Sequence, residues 1–80
     1  MKEHMENIKI AYERFELEDF CREVSAVMKQ AESLQKWKLE HFCRQYLEQI
    51  ERDGFDGIYR GIQEFVNLMT ETINELDAKE

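Results

Sequence analysis

Glycine and proline are almost missing from this chain of 80 residues. There is no proline, and all three glycines fall between Gly54 and Gly61. Because these two residue types are the strongest helix breakers, the sequence outside that window is compatible with helix throughout. The window is therefore the one place where the backbone has unusual conformational freedom.

Cysteine and long apolar runs are scarce as well. Cys21 and Cys43 are the only cysteines, which makes a poor disulfide framework, and the charged residues 1–6 do not resemble a secretion signal. No apolar run reaches the length of about 20 residues that spans a bilayer. We therefore expect a cytoplasmic protein with two free thiols and no membrane association.

Basic side chains are the minority among the charged residues. The chain has 11 Lys and Arg against 18 Asp and Glu, a net charge of −7, and both ends are acidic while residues 34–53 are neutral. Direct nucleic-acid binding needs clustered Lys and Arg, so it is not expected. The acidic surface suits a basic partner protein, or it only keeps the chain soluble; charge by itself favours the second.

The residues that are plentiful predict a small folded domain. With 42% hydrophobic residues and nine aromatic ones, the chain is too apolar to be disordered. Residues 1–80 make one domain, and a domain of this size buries only about 60–65% of its unfolded surface. Such domains often gain stability from a partner, and with no disulfide framework we expect a protein partner.

The apolar periodicity predicts four helices. A first stripe slips out of phase near residues 15–17, which indicates a turn, with acidic residues in the first turn of the next helix. A break at 32–36 follows, where Ser33 is a candidate N-cap, and a third apolar face runs up to Asp53. We predict an all-α fold: a compact bundle of about four helices in one domain, with a glycine-marked junction at 53–57 before a long C-terminal helix.

The glycine window has two interpretations. In the first, Gly54 ends one helix and Asp53 or Asp56 caps the next. In the second, one helix runs through, and the spacing of Gly54, Gly57 and Gly61 exposes backbone to a closely approaching chain. We prefer the first, because each glycine costs roughly 1 kcal/mol in a helix interior.

Nothing in the sequence indicates a catalytic or metal site. His41 and Cys43 lie two residues apart and so point to different sides of a helix, and no Cys-x-x-Cys pair exists. The glycine window lacks the spacing and the Lys-Ser/Thr of a phosphate-binding loop. We expect no enzyme activity, no metal and no cofactor, with Cys43 in the core.

The aromatic residues are numerous for a small core. Tyr12, Phe15, Phe20, Trp37 and Phe55 either all fit inside, or some remain exposed as an association face. The sequence leaves these two alternatives open.

The glycine window resembles the signature near the C-terminus of the AsiA family, the small anti-sigma proteins of T-even-type phages. There the pattern runs acidic-Gly-Phe-acidic-Gly-aliphatic-Tyr-Arg, and here it is carried by Asp53, Gly54, Phe55, Asp56, Gly57, Ile58, Tyr59 and Arg60. The segment from Phe15 to Phe20 is similar to that family's turn from its first into its second helix. The stretch between the two matches is shorter here, and the helix after Arg60 is longer.

The resemblance implies an all-helical protein that forms a homodimer through its first helices. It implies that the same face then binds region 4 of the host primary sigma factor in the host cytoplasm, which blocks recognition of the −35 promoter element. The matching positions on the first helix, with Phe20 just beyond the turn and Met5 at the start of the same stripe, form the candidate partner-binding set: Met5, Ile8, Ala11, Tyr12, Phe15 and Phe20.

The sequence is compatible with three hypotheses for the function. The favoured one is a small acidic, non-enzymatic phage-type inhibitor of a host transcription protein. The alternatives are an anti-CRISPR or DNA-mimic inhibitor of another nucleic-acid-binding protein, and a helical homodimer with a purely structural role.

Overall fold

The protein is an all-α bundle of four helices, as the periodicity predicts. A computed structural model describes residues 1–78, and its helices are α1 (Lys2–Glu13), α2 (Leu17–Ser33), α3 (Trp37–Asp53) and α4 (Phe55–Ala78). The connections are three residues, three residues and one residue long. Connections this short place consecutive helices side by side and antiparallel.

The helices surround one core, and the bundle is 37 Å long, about the length of α4 alone. In chain order, α1 packs on α2, α2 on α3, and α3 on α4, while α1 touches α4 much less. The hydrophobic core consists of Ile8, Ala11, Phe20, Val24, Val27, Ala31, Leu39, Cys43, Tyr46, Ile50, Ile58, Phe65, Leu68 and Met69.

The two helix ends without glycine close in the same way. After α1, Phe15 takes a left-handed conformation (φ 56°) and Glu16 N–H donates to the Ala11 carbonyl. After α2, Gln35 does so (φ 59°) and Lys36 N–H donates to the Ala31 carbonyl. This six-residue closure is the Schellman motif, whose left-handed position glycine usually occupies.

The predicted turn at 15–17 and the break at 32–36 are therefore confirmed. Glu18 and Asp19 lie in the first turn of α2, as expected. The proposed N-cap Ser33 is wrong. It is the last residue of α2, and the left-handed Gln35 moves the start of α3 on to Trp37, with Lys36 in the N-cap position.

Gly54 is the junction between α3 and α4, which confirms the first interpretation of the glycine window. Its dihedral angles, φ 66° and ψ −138°, lie where only glycine is comfortable. The predicted caps differ from the structure. Asp53 ends α3 and accepts a hydrogen bond from Arg60 at 3.4 Å, and Asp56 already lies in the first turn of α4.

The other two glycines serve a close approach, but to this chain's own α3. A Cβ at Gly57 would lie 2.7 Å from the Gln49 carbonyl oxygen, and one at Gly61 would lie 2.7 Å from the Tyr46 ring. The second interpretation of the window therefore describes 57 and 61, with α3 as the approaching segment.

Side chains of α3 lock this contact. The Tyr46 hydroxyl donates to the Ile58 carbonyl at 2.6 Å, and Gln49 Nε2 donates to the Gly57 carbonyl at 3.0 Å. The hydrogen bonds and the two glycines together fix the direction in which α4 leaves the junction.

Candidate partner-binding site

Aromatic side chains collect at the end of the bundle where α1 ends and α4 begins. The Phe55 ring lies 5.7 Å from the Tyr12 ring and 4.9 Å from the Phe15 ring, measured between centroids. Tyr59 follows Phe55 by one helical turn on the same side of α4. We call Tyr12, Phe15, Phe55 and Tyr59 the aromatic patch.

Much of this patch faces solvent. Phe15 is 74% exposed and Tyr59 is 69% exposed, whereas Tyr12 and Phe55 are half-buried against the core. Large exposed aromatic rings that rest on a fixed apolar base are typical of the anchors of protein interfaces. The aromatic residues are thus divided between the core and the surface: Phe20 is buried, whereas Phe15 and Trp37 are exposed.

The chain's turns explain why the rings of Tyr12, Phe15 and Phe55 meet. The left-handed Phe15 ends α1 and turns its side chain towards the start of α4. Gly54 starts α4 at Phe55, directly beside that turn. The two segments that resemble motifs of the AsiA family, far apart in the chain, therefore lie side by side at one end of the fold.

The surroundings of the patch are acidic. Four exposed carboxylates and one arginine lie between residues 13 and 19, and Asp56 is exposed at the start of α4. Glu16 and Asp19 are close enough that a hydrogen bond between them raises the pKa of Glu16 above its ordinary value, with desolvation and the charge of Asp19 acting in the same direction. A partner surface must therefore tolerate, or neutralise, concentrated negative charge.

Three of the six candidate partner-binding residues lie in the core. Ile8 and Phe20 are fully buried and Ala11 is 3% exposed. Phe20 packs against Tyr46 and Phe65. A direct contact of these three with a partner does not fit the closed fold, because their side chains already complete the bundle. Met5 is half-buried, and Tyr12 and Phe15 belong to the aromatic patch.

The sequence reasoning missed the role of two motif residues. The sequence singles out Tyr59 only as a member of the glycine signature, and Phe55 also as one of five aromatic residues that are either buried or exposed. Neither is in the candidate partner-binding set, yet the two supply half of the aromatic patch. Their i, i+4 spacing was the available signal, and it needed the position of α1 to become meaningful. Arg60, also in the signature, is exposed and pairs with Asp53.

A second exposed aromatic residue lies at the opposite end of the bundle. Trp37 is 58% exposed at the start of α3, beside the half-exposed Leu34. Lys36 pairs with Glu75 there at 2.6 Å. Since it lies far from the aromatic patch, Trp37 provides a matched control for substitutions there.

The chemistry of the two thiols fits a structural role. Cys43 is buried, and its pKa is raised to about 12, first by burial and then by the charge of Glu40. Cys21 is half-buried, and burial raises its pKa as well. Within residues 1–78 there is no group of three or more His, Cys, Asp or Glu side chains arranged to hold a metal ion.

None of the helices in residues 1–78 combines the length and apolar character needed to cross a membrane. Comparisons with protein-family models, with curated proteins and with solved structures give no match to this chain.

Proposed function

We propose that the protein is a non-enzymatic inhibitor that binds a basic, DNA-reading helical surface of a host transcription protein, with region 4 of the primary sigma factor as the target. The observation that supports this most is the aromatic patch. It joins the first-helix residues to the glycine signature, the two segments that resemble the AsiA family.

The mechanism follows from the shape and charge of this end of the molecule. The rings of Phe15 and Tyr59 would occupy apolar positions on the partner, while the carboxylates around them would pair with its Lys and Arg side chains. A DNA-reading surface covered in this way can no longer contact promoter phosphates. Inhibition needs no chemical step, only occupancy.

The test is transcription by the host RNA polymerase on two promoters, one with a −35 element and one that does not need it. We expect the protein to repress transcription from the first promoter and to leave transcription from the second unchanged. A Tyr59→Ala, Phe15→Ala double variant should lose repression, and Trp37→Ala should keep it. Equal repression of both promoters, or of neither, would reject sigma region 4 as the target.

The DNA-mimic alternative differs in which residues dominate. A mimic depends on distributed charge, so a reversal such as Glu71→Lys on the outer face of α4 would weaken binding more than loss of Phe15 or Tyr59, with a steep salt dependence. We expect the opposite order, in which loss of Phe15 or Tyr59 weakens binding more than Glu71→Lys does.

A further inference from the structure

Helix α1 is the element that the bundle holds least firmly. It contributes only Ile8 and Ala11 to the buried set, fewer than any other helix. Its ion pair with α4, between Lys2 and Asp77 at 3.1 Å, is exposed, and a groove lies open between the start of α1 and the end of α4. Separating α1 therefore disturbs less of the core than separating any other helix.

The turn that holds α1 in place is conformationally unfavourable. Phe15 is a bulky residue with φ 56°, a region that residues other than glycine enter at a cost. Residues 14–16 are Arg, Phe and Glu, all of which are tolerated within helices. If these three residues became helical, α1 and α2 would form one continuous helix and the unfavourable angle would disappear.

A single opened chain would expose Ile8 and Ala11 to water, which is unfavourable. In a second opened chain, α2 and α4 present the same surface, which α1 of the first chain can cover. We propose that the protein forms a homodimer by exchanging α1 between two copies, with residues 14–16 as the hinge. This proposal does not depend on the function proposed above.

Charge favours exchange over a face-to-face dimer. Pairing two aromatic patches would bring the carboxylates of residues 13–19 of each copy together, and like charges in contact oppose association. Exchange instead keeps the contacts that α1 makes with α2 and α4, including the hydrogen bond between His4 and Glu23 at 2.8 Å, and changes which chain supplies α1. Only the contacts of the closed turn at residues 14–16 are lost, among them the Glu16 N–H bond to the Ala11 carbonyl.

The turn at Gln35 is less suited to be the hinge, although its backbone is also left-handed. Opening there would separate α2 from α3, the most extensive helix contact in the bundle. The junction at Gly54 gains nothing from opening, since glycine adopts its angles without cost.

Zero-length crosslinking of the unmodified protein distinguishes the two arrangements. A carbodiimide joins Lys2 to Asp77, between α1 and α4, and joins Lys36 to Glu75, between α3 and α4. Isotope-labelled and unlabelled chains are mixed, unfolded, refolded and crosslinked, and the dimer fraction is digested for mass spectrometry. Exchange predicts mixed-label pairs for Lys2–Asp77 and single-label pairs for Lys36–Glu75.

Three variants test the hinge. Phe15→Gly removes the cost of the closed turn and disfavours the continuous helix, so the dimer should dissociate more easily, on the order of tenfold or more. Phe15→Ala keeps the unfavourable angle and removes the ring, so the dimer should persist. Gln35→Gly, at the equivalent turn, should leave dimer dissociation unchanged.

Each contrary result overturns the proposal. A chain that remains monomeric at high concentration has no exchange. A dimer with single-label Lys2–Asp77 pairs is held by surfaces and not by α1. Loss of the dimer in Phe15→Ala indicates that the aromatic ring, and not the hinge, carries the association.

Discussion

Each of the three glycines is required for a different physical reason. Gly54 adopts backbone angles that other residues avoid, Gly57 lets α4 touch the backbone of α3, and Gly61 leaves room for the Tyr46 ring. Gly54 therefore meets a conformational requirement, whereas Gly57 and Gly61 meet packing requirements.

Gly57→Ala should lower the free energy of unfolding by about 2 kcal/mol, even though alanine is the better helix former. The added Cβ would meet the Gln49 carbonyl oxygen at 2.7 Å, and a backbone atom cannot move aside without shifting α3. Urea unfolding followed by circular dichroism measures the change. Thr70→Ala, at an exposed position of α4, is the control and should be neutral or slightly stabilising. A neutral Gly57→Ala would contradict the close contact.

The thiols should differ in reactivity. Burial raises the pKa of Cys43 to about 12, so its thiolate is rare at mildly alkaline pH, whereas Cys21 is less buried. Iodoacetamide should therefore modify Cys21 first, with Cys43 reacting only as the protein unfolds. Peptide mass spectrometry over time measures the order. Equal rates under native conditions would contradict the burial of Cys43.

The same shift of the Cys43 pKa gives a pH dependence of stability with a definite sign. The unfolded thiol ionises near its ordinary value of 9.0, while the folded thiol stays protonated up to about 12. Its stabilising contribution is complete below pH 9 and is lost as the pH rises towards 12. Cys43→Ala should show a shallower loss of stability over that range than the unsubstituted chain. Identical slopes would contradict the shifted pKa.

At the scale of the helices, the turns decide the fold more than the helices do. The helices follow from composition and periodicity, and α1 to α4 lie where those patterns predict. The exact closures do not follow, because Phe15 and Gln35 occupy left-handed positions that local preference assigns to glycine. The Phe15 ring contacts Phe55 at the start of α4, a contact that the local sequence does not reveal.

Gln35→Gly should raise the free energy of unfolding by about 1 kcal/mol, because glycine adopts the left-handed angle without steric cost. The side chain is exposed, so no packing is lost. Gln63→Gly, in the interior of α4 and also exposed, should lower the stability by a similar amount. Thermal and urea unfolding compare the two. A loss of stability in both would show that residue 35 is not left-handed in solution.

At the scale of the whole molecule, the fold brings together what the sequence keeps apart. The apolar stripe of α1 and the glycine signature are about forty residues distant in the chain, and the antiparallel bundle places them at one end. The sequence assigns Met5, Ile8, Ala11, Tyr12, Phe15 and Phe20 alike to the partner, whereas the fold buries Ile8, Ala11 and Phe20 in the core. Periodicity shows which apolar residues share one face of a helix. It cannot separate a core face from a binding face when both lie on one short helix.

The two ends of the bundle also differ in the side chains that they expose. One end carries the aromatic patch among carboxylates, and the other carries Trp37 and the pair of Lys36 with Glu75. A partner that recognises the first end by apolar contact and charge should ignore the second.

Calorimetric titration of sigma region 4 into the protein tests this claim most directly. We expect the unsubstituted chain and Trp37→Ala to bind equally well, and the Phe15→Ala, Tyr59→Ala double variant to bind at least about tenfold more weakly, as for loss of interface anchors. Binding that survives the double substitution, or that Trp37→Ala weakens as much, would contradict the aromatic patch as the site. An absence of binding by the unsubstituted chain would contradict the proposed partner itself.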